Sequence, residues 1–227
     1  MITELQRTYV LIHLEFMQQA KVMVCCHFNI YFVTRCSSCL KAPHTDTFIL
    51  CIVFWNCVGG GFVNLLACTP SIAAKFAAFS TVSAAFYTTT FNRNCPTERS
   101  IPILDFHGTA DTVTPYNGRK AHGGIQDSID DFLQFWVLRN DCQGNATISH
   151  LSKEMDPHQL VEIQTWNNNC KPGSIVIEYR ITGGQHSWPR ITLPMTCNGK
   201  VGTNDCSTTV FDATSSVIIP FFNNYSL

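Results

Sequence analysis

Three side chains, far apart in the chain, are chemically suited to one another: Cys57, Asp111 and His186. A histidine can take the proton of a thiol or hydroxyl and later return it to a leaving group. A carboxylate fixes the tautomer of that histidine and steadies the imidazolium. Such a set works only if all three side chains reach one point, and their surroundings predict that they do. Cys57 follows the apolar run FILCIVFW and precedes three consecutive glycines, Gly59, Gly60 and Gly61. Asp111 lies in the polar turn of IPILDFHGTAD, and His186 lies in GGQHSWP after SIVIEYRI. In open α/β sheets, functional groups gather at the carboxyl ends of the strands. Each of the three is therefore expected on a loop at one sheet edge.

The elements that would carry these loops are legible from residue 48 onward. FILCIVFW reads as a buried strand, and residues 62–79 as a small-residue helix with a boundary at Pro70. STVSAAFY and IPILDFHGTAD read as a second and a third apolar strand. In GGIQDSIDDFLQFWVLRNDC the apolar residues Ile125, Ile129, Phe132, Leu133, Trp136 and Val137 recur at helical spacing, and Asn140 marks the end. That spacing puts Asp130 and Asp131 on the exposed side. VEIQTWNNNC and SIVIEYRITGG alternate and read as strands. TTVFDATSSVIIPFFNNY reads as a closing helix capped by Asp212 or Thr214 and limited by Pro220. Strands alternating with helices imply an α/β domain, a mostly parallel sheet with helices on both faces.

Residues 1–47 differ from residues 48–227. They carry irregular apolar patches and no clear period, and the expectation is a poorly structured segment ahead of one domain. A zinc site built from Cys25, Cys26, His27, Cys36 and Cys39 is conceivable there, but no second well-spaced ligand pair supports it. No metal and no cofactor is expected. Residues 48–68 are uncharged and long enough to span a membrane. Three glycines together with Asn56 and Asn64 favour a strand, a turn and a helix instead.

The chain has 227 residues, enough for one domain with a real core. Its net charge of −1 gives no electrostatic footprint for nucleic acid. A lightly charged surface suits an uncharged or polymeric ligand. Twelve cysteines fit disulfides in an oxidising compartment. Loop proximity favours Cys142 with Cys170 and Cys197 with Cys206. The sequons at Asn145 and Asn224 agree with secretion. The first residues, MITELQRTYVLIHLEFMQQAKVMV, lack the basic, apolar and small-residue pattern of a signal peptide.

The order nucleophile, acid, histidine is that of α/β-hydrolases. From Gly59 onward the chain resembles secreted fungal feruloyl esterases of carbohydrate esterase family 1, relatives of polyhydroxybutyrate depolymerase-like esterases. The resemblance rests on GGGFVNLLAC, FAAFSTVSAAFY, CPTERSIPILDFHGTAD with TPYNG, WNNNC, GGQHSWP, and FDAT with IIPFF. It covers about three quarters of the chain. It implies an α/β-hydrolase fold and hydrolysis of hydroxycinnamates, ferulate above all, esterified to plant cell-wall arabinoxylan. It implies a secreted enzyme, and a monomer without nucleic-acid or membrane partners is expected. It carries Asp111 and His186 over as triad acid and base. Acetylxylan esterases and polyester depolymerases share the same body and are the rival substrates.

The nucleophile departs from the family pattern. The family's elbow reads like G-K-S-N-G-G-G-F, so the serine falls on Cys57, its leading glycine on Trp55 and its asparagine on Val58. An indole two residues before the nucleophile is expected to crowd the turn. The family's upstream His-Gly oxyanion loop is not recognisable in residues 1–50, which leaves the Val58 N–H as the oxyanion donor. Two readings of Cys57 stand. It is a thiol nucleophile activated by a helix N-terminus and His186, or a buried cysteine in an inactive remnant. Trp188, with Tyr116 and Trp166, could form an aromatic wall for a cinnamoyl ring, with core packing as the competing role for Trp166. His107 is expected to be structural, Asp105 to pair with a neighbour, and His122, His150 and His158 to be solvated.

Overall fold

A computed structural model describes residues 24–25, 30–34, 50–55, 57–88, 95, 99–121, 124–156, 158–189 and 211–226, with side chains described from residue 60 onward. Among the described residues, ten strands fall into two sheets. β1 (Val24–Cys25), β2 (Ile30–Thr34) and β3 (Leu50–Trp55) lead into β4 (Ala78–Val82) and β5 (Ile103–Gly108). A hairpin, β6 (Arg119–Ala121) and β7 (Gly124–Gln126), stands apart. β8 (Thr147–His150), β9 (Val161–Trp166) and β10 (Val176–Ile181) complete the large sheet. Its order is β1-β2-β3-β4-β5-β10-β9-β8. The four central strands, β3, β4, β5 and β10, run parallel. Antiparallel pairs flank them on both sides.

The parallel centre follows from composition. Every residue of β4 and β5 is buried, as expected of strands covered on both faces. One face packs under α1 (Cys57–Ala67) and α3 (Ile129–Arg139), through Val63, Leu66, Phe132, Leu133 and Trp136 against Phe79, Ile103 and Val176. The indole Nε1–H of Trp136 donates to Asn64 Oδ1 at 3.0 Å and ties the two helices together. The other face packs under a π-helical turn (Thr214–Ile218) that continues as α4 (Ile219–Asn223). There Phe211, Ile218, Phe221 and Phe222 meet Val82, Leu104, Phe106 and Ile181.

The helix boundaries have local causes. Ser128 caps α3, accepting from the Asp131 N–H at 3.0 Å. Pro70 opens the short α2 (Pro70–Ala73), where a missing N–H costs nothing. The helix expected over 62–79 therefore divides at Pro70 and ends at Ala73. The second strand, expected over STVSAAFY, is β4 instead and ends at Val82. Ser83 has a positive φ of 49° and turns the chain out of the sheet. The Asp212 carboxylate accepts from the Thr214 N–H at 3.0 Å, as a cap for the closing helix.

Two disulfides are present among the described residues. Cys142–Cys170 is the expected pair, and it joins the end of α3 to the turn after β9. Cys68–Cys95, which closes the end of α1 onto the following segment, was not anticipated. Cys197 and Cys206 lie outside the described residues, as do the side chains of the conceived zinc site. β1 and β2 fall within the segment expected to be poorly structured, and they extend the sheet beside β3. Residues 50–55 and 57–67 form a strand and a helix. Among the described residues no helix is long and apolar enough to cross a membrane.

Candidate active site

The parallel register sends the carboxyl ends of β3, β4, β5 and β10 to one edge of the sheet. Asp111 lies on the loop after β5, and His186 on the loop after β10. Cys57 opens α1 directly after β3, with Val58 next to it. Their side chains fall outside the described set, so the backbone alone locates these two.

Asp111 and His186 meet. The His186 Nδ1–H donates to Asp111 Oδ2 at 2.8 Å, which makes Nε2 the basic nitrogen. The Asp111 side chain is fully buried, and that of His186 is 10% exposed. The other carboxylate oxygen, Oδ1, accepts from the N–H groups of Val113 at 2.8 Å and Thr114 at 2.7 Å. Burial by itself raises the carboxyl. The hydrogen bonds from His186 and the Thr114 N–H, with the nearby imidazoles, outweigh burial and hold Asp111 below the usual carboxylate range. Asp111 is thus an anion, able only to accept.

Glycine contact brings the two loops together. A Cβ on Gly108 would lie 2.2 Å from the carbonyl oxygen of Gly184. The backbones meet where no side chain fits, and hydrogen bonds hold them there. The Thr109 N–H donates to Ile181 O, the Ala110 N–H to Gly184 O, and the Gly183 N–H to Thr109 Oγ1, each at 2.9 Å. The same device acts at the third loop. A Cβ on Gly60 would lie 2.0 Å from Ala84 Cβ, and one on Gly61 would lie 2.5 Å from Ala85 O. The glycines after Cys57 thus let the first turn of α1 rest on the chain leaving β4.

His107 is structural, as expected. It is buried, and its Nε2–H donates to the Thr114 carbonyl at 2.8 Å. Burial pushes its imidazole below the usual range, so it is neutral although Asp111 Oδ2 lies 3.5 Å away. Asp105 is buried and accepts from Thr81 Oγ1 at 2.5 Å. His150 and His158 are exposed, and His122 lies outside the described residues. Asp130 is exposed and pairs with Arg180 at 2.7 Å; Asp131 is exposed as well.

The aromatic residues divide. Trp188 is half-buried, two residues beyond His186, and its Nε1–H donates to Thr214 Oγ1 at 3.0 Å. Tyr116 is 7% exposed. Its ring lies under the Arg180 guanidinium, and its hydroxyl contacts Glu178, Asp130 and Arg180. Trp166 is also buried in the core. Tyr116 and Trp166 hold the packing role, and of the three expected wall residues only Trp188 keeps a partly open face.

Sequence reading missed Thr114, Ser83 and the polar ladder around Asp105. Thr114 carried one usable signal, its position three residues after an aspartate in a turn, where a side chain and a backbone N–H can bond together. Among the described residues no cluster of His, Cys, Asp or Glu could hold a metal ion.

The fold and site define a mixed α/β protein with an acid–histidine pair at the carboxyl edge of its parallel strands. No protein-family model matches the chain, and a search of curated proteins returns no match.

Proposed function

We propose that the chain has an α/β-hydrolase-type body and is a secreted carboxylic ester hydrolase. Its substrates are hydroxycinnamates, ferulate foremost, esterified to arabinoxylan. The observation that carries this reading is the 2.8 Å contact between Asp111 and His186, on loops after β5 and β10, at the sheet edge where α1 begins with Cys57. The resemblance of the sequence motifs supplies the ester class.

In this reading Cys57 stands at the nucleophile position. His186 Nε2 takes the proton as the nucleophile attacks the ester carbonyl, and Asp111 steadies the imidazolium. The Val58 N–H faces the developing oxyanion. The sugar alcohol leaves with the proton from His186. Water then attacks the acyl-enzyme with His186 as base and releases the cinnamate. Trp188 offers its partly open face to the cinnamoyl ring. The disulfides accord with an extracellular setting.

The test is methyl ferulate hydrolysis by the purified chain and by Cys57→Ser, with Asp111→Ala as blank. Activity above the blank in the chain as written makes Cys57 a working nucleophile. Activity only in Cys57→Ser assigns a sound site that lacks its hydroxyl. Silence in both variants, from folded protein, refutes the esterase reading for this chain.

A further inference from the structure

We propose that Thr114 is a positioning residue for the Asp111–His186 pair, and that its hydroxyl holds the carboxylate in the orientation that faces the imidazole. The inference rests on the reading of that pair as the acid and base of the site.

Thr114 is 2% exposed and touches the pair in three ways. Its N–H donates to Asp111 Oδ1 at 2.7 Å, and its Oγ1–H donates to Asp111 Oδ2 at 2.8 Å. Its Oγ1 also lies 3.2 Å from His186 Nδ1. One residue therefore reaches both carboxylate oxygens and the ring nitrogen bound to one of them. Oδ1 is held by two backbone donors. Oδ2 is held only by His186 and this hydroxyl among the bonds described. Without the hydroxyl, the oxygen that faces His186 keeps only the imidazole it is meant to orient and, 3.5 Å away, the His107 Nε2–H, which is already given to the Thr114 carbonyl.

Thr114 is itself anchored from two sides. The buried His107 ring donates Nε2–H to its carbonyl at 2.8 Å. Its hydroxyl lies 3.2 Å from the carbonyl oxygen of Ser83, the residue of positive φ that ends β4. The Ser83 hydroxyl in turn donates to the carbonyl of Ser187, next to His186, at 3.3 Å. The hydroxyl has one proton for two acceptors, and the shorter, charge-assisted contact to Asp111 takes it. Thr114 thus joins the ends of β4, β5 and β10 around the carboxylate. A valine at this position has nearly the same shape and keeps the backbone N–H. The substitution removes the hydroxyl alone.

The experiment is proton NMR of the full chain, following the low-field Nδ1–H resonance of His186, assigned by its loss in His186→Gln. The parent is expected to show it, and to lose it on acidification as Asp111 takes up a proton. Thr114→Ser keeps the hydroxyl and is expected to match the parent. Thr114→Val is expected either to lack the resonance or to lose it at a pH higher by about half a unit or more, because the carboxylate has lost a donor to its charged form. Thr114→Cys, similar in volume with a weak donor, is expected between the two, and it serves if the valine variant does not fold. A resonance in Thr114→Val with the parent's position and acid midpoint overturns the role of Thr114. Its absence from the folded parent instead overturns the pair itself. Neither outcome depends on ester hydrolysis.

Discussion

Replacing Asp105 by asparagine tests how the core beneath the site carries its protons. Asp105 on β5 faces Glu178 on β10 in direct register, and both are fully buried. Thr81 lies opposite Asp105 on β4, and Gln164 lies opposite Glu178 on β9, so a polar row crosses four strands. One carboxylate oxygen of Asp105, Oδ2, has no hydrogen-bond partner. The Tyr116 hydroxyl has a single proton but lies 2.6 Å from Glu178 and 2.9 Å from Asp130, which favours a proton on Glu178. Burial pushes the Asp105 carboxyl up to about 8, with the Thr81 bond opposing and the Glu178 charge adding. Burial likewise raises Glu178 to about 7. The folded chain therefore binds protons that the unfolded chain has released.

For a folded value raised above the unfolded one, stability is fully present below the unfolded pKa and is lost as pH rises through the folded one. For Asp105 that window runs from its ordinary 3.8 to about 8. Each pH unit in it removes ~1.4 kcal/mol, so the ceiling over four units is ~5 kcal/mol. Coupling to Glu178 spreads this cost over both groups. Asp105→Asn cannot ionise. Its stability relative to the parent should rise by ~1.4 kcal/mol per pH unit between about pH 5 and 7, which is ~3–5 °C in melting temperature per pH unit for a chain of this size. The assay is thermal melting of parent and variant from pH 4.5 to 8 at constant ionic strength. Melting curves that stay parallel across this range would refute the protonated ladder, because no proton would then be taken up at Asp105 on folding.

Three further outcomes follow from the packing and the backbone. Gly108→Ala drives a Cβ into Gly184 O and should cost ~1–3 kcal/mol by overpacking while pulling the acid and histidine loops apart. Gly144→Ala, with no atom within 4 Å of the added Cβ but a φ of +78°, should show only backbone strain of ~1 kcal/mol, with the His186 low-field resonance intact. Melting and NMR on both variants separate the two effects. Cys142→Ser with Cys170→Ser opens a disulfide spanning 28 residues and should lower stability by ~3 kcal/mol in urea titration; an unchanged midpoint would argue against that link in the folded chain.

The sheet was legible because β3, β5, β9 and β10 are runs whose apolar content and alternation leave little choice. α3 was legible from the apolar spacing of Ile129, Phe132, Leu133, Trp136 and Val137 and from its end at Asn140, whereas Ile125, read into the same helix, lies in β7, and the Ser128 cap was not read. Asp111 and His186 stood out because each follows a strand and carries a reactive group. β8 and the β6–β7 hairpin were not legible. β8 has four exposed residues and no apolar face, and it exists because β9 offers a ladder to pair with. The end of β4 was missed because STVSAAFY reads as one run, while the turn at Ser83 is imposed by the loops that Ser83 touches. The Asp105–Glu178 pairing depends on register between strands more than 70 residues apart, which local sequence does not encode. Tyr116 looked like a ligand-facing ring because its loop is polar. Arg180 and Glu178, both on β10, draw it into the core.

The protons of the site and those of the core set opposite limits on one pH window. Asp111 must be an anion to orient His186, and its donors extend that state below the usual carboxylate range. Asp111 thus adds stability above the ordinary unfolded value of ~3.9, and this is lost as pH falls through its lowered folded value. Asp105 and Glu178 act in reverse, since burial favours their protonated forms, up to about 8 for Asp105 and, against the opposing Tyr116 bond and Arg180 charge, about 7 for Glu178. The two demands agree in mildly acidic solution, where the site carboxylate is charged and the ladder beneath it is neutral. Both sets lie on β5 and β10 or on the loops that follow them, so ionising the ladder puts charge directly under the strands that hold the pair. A rise in pH past neutrality should therefore loosen the Asp111–His186 contact although Asp111 stays an anion throughout. The Asp105→Asn variant should keep the His186 low-field resonance to higher pH than the parent does. Loss of that resonance at the same alkaline pH in both proteins would separate the ladder from the site.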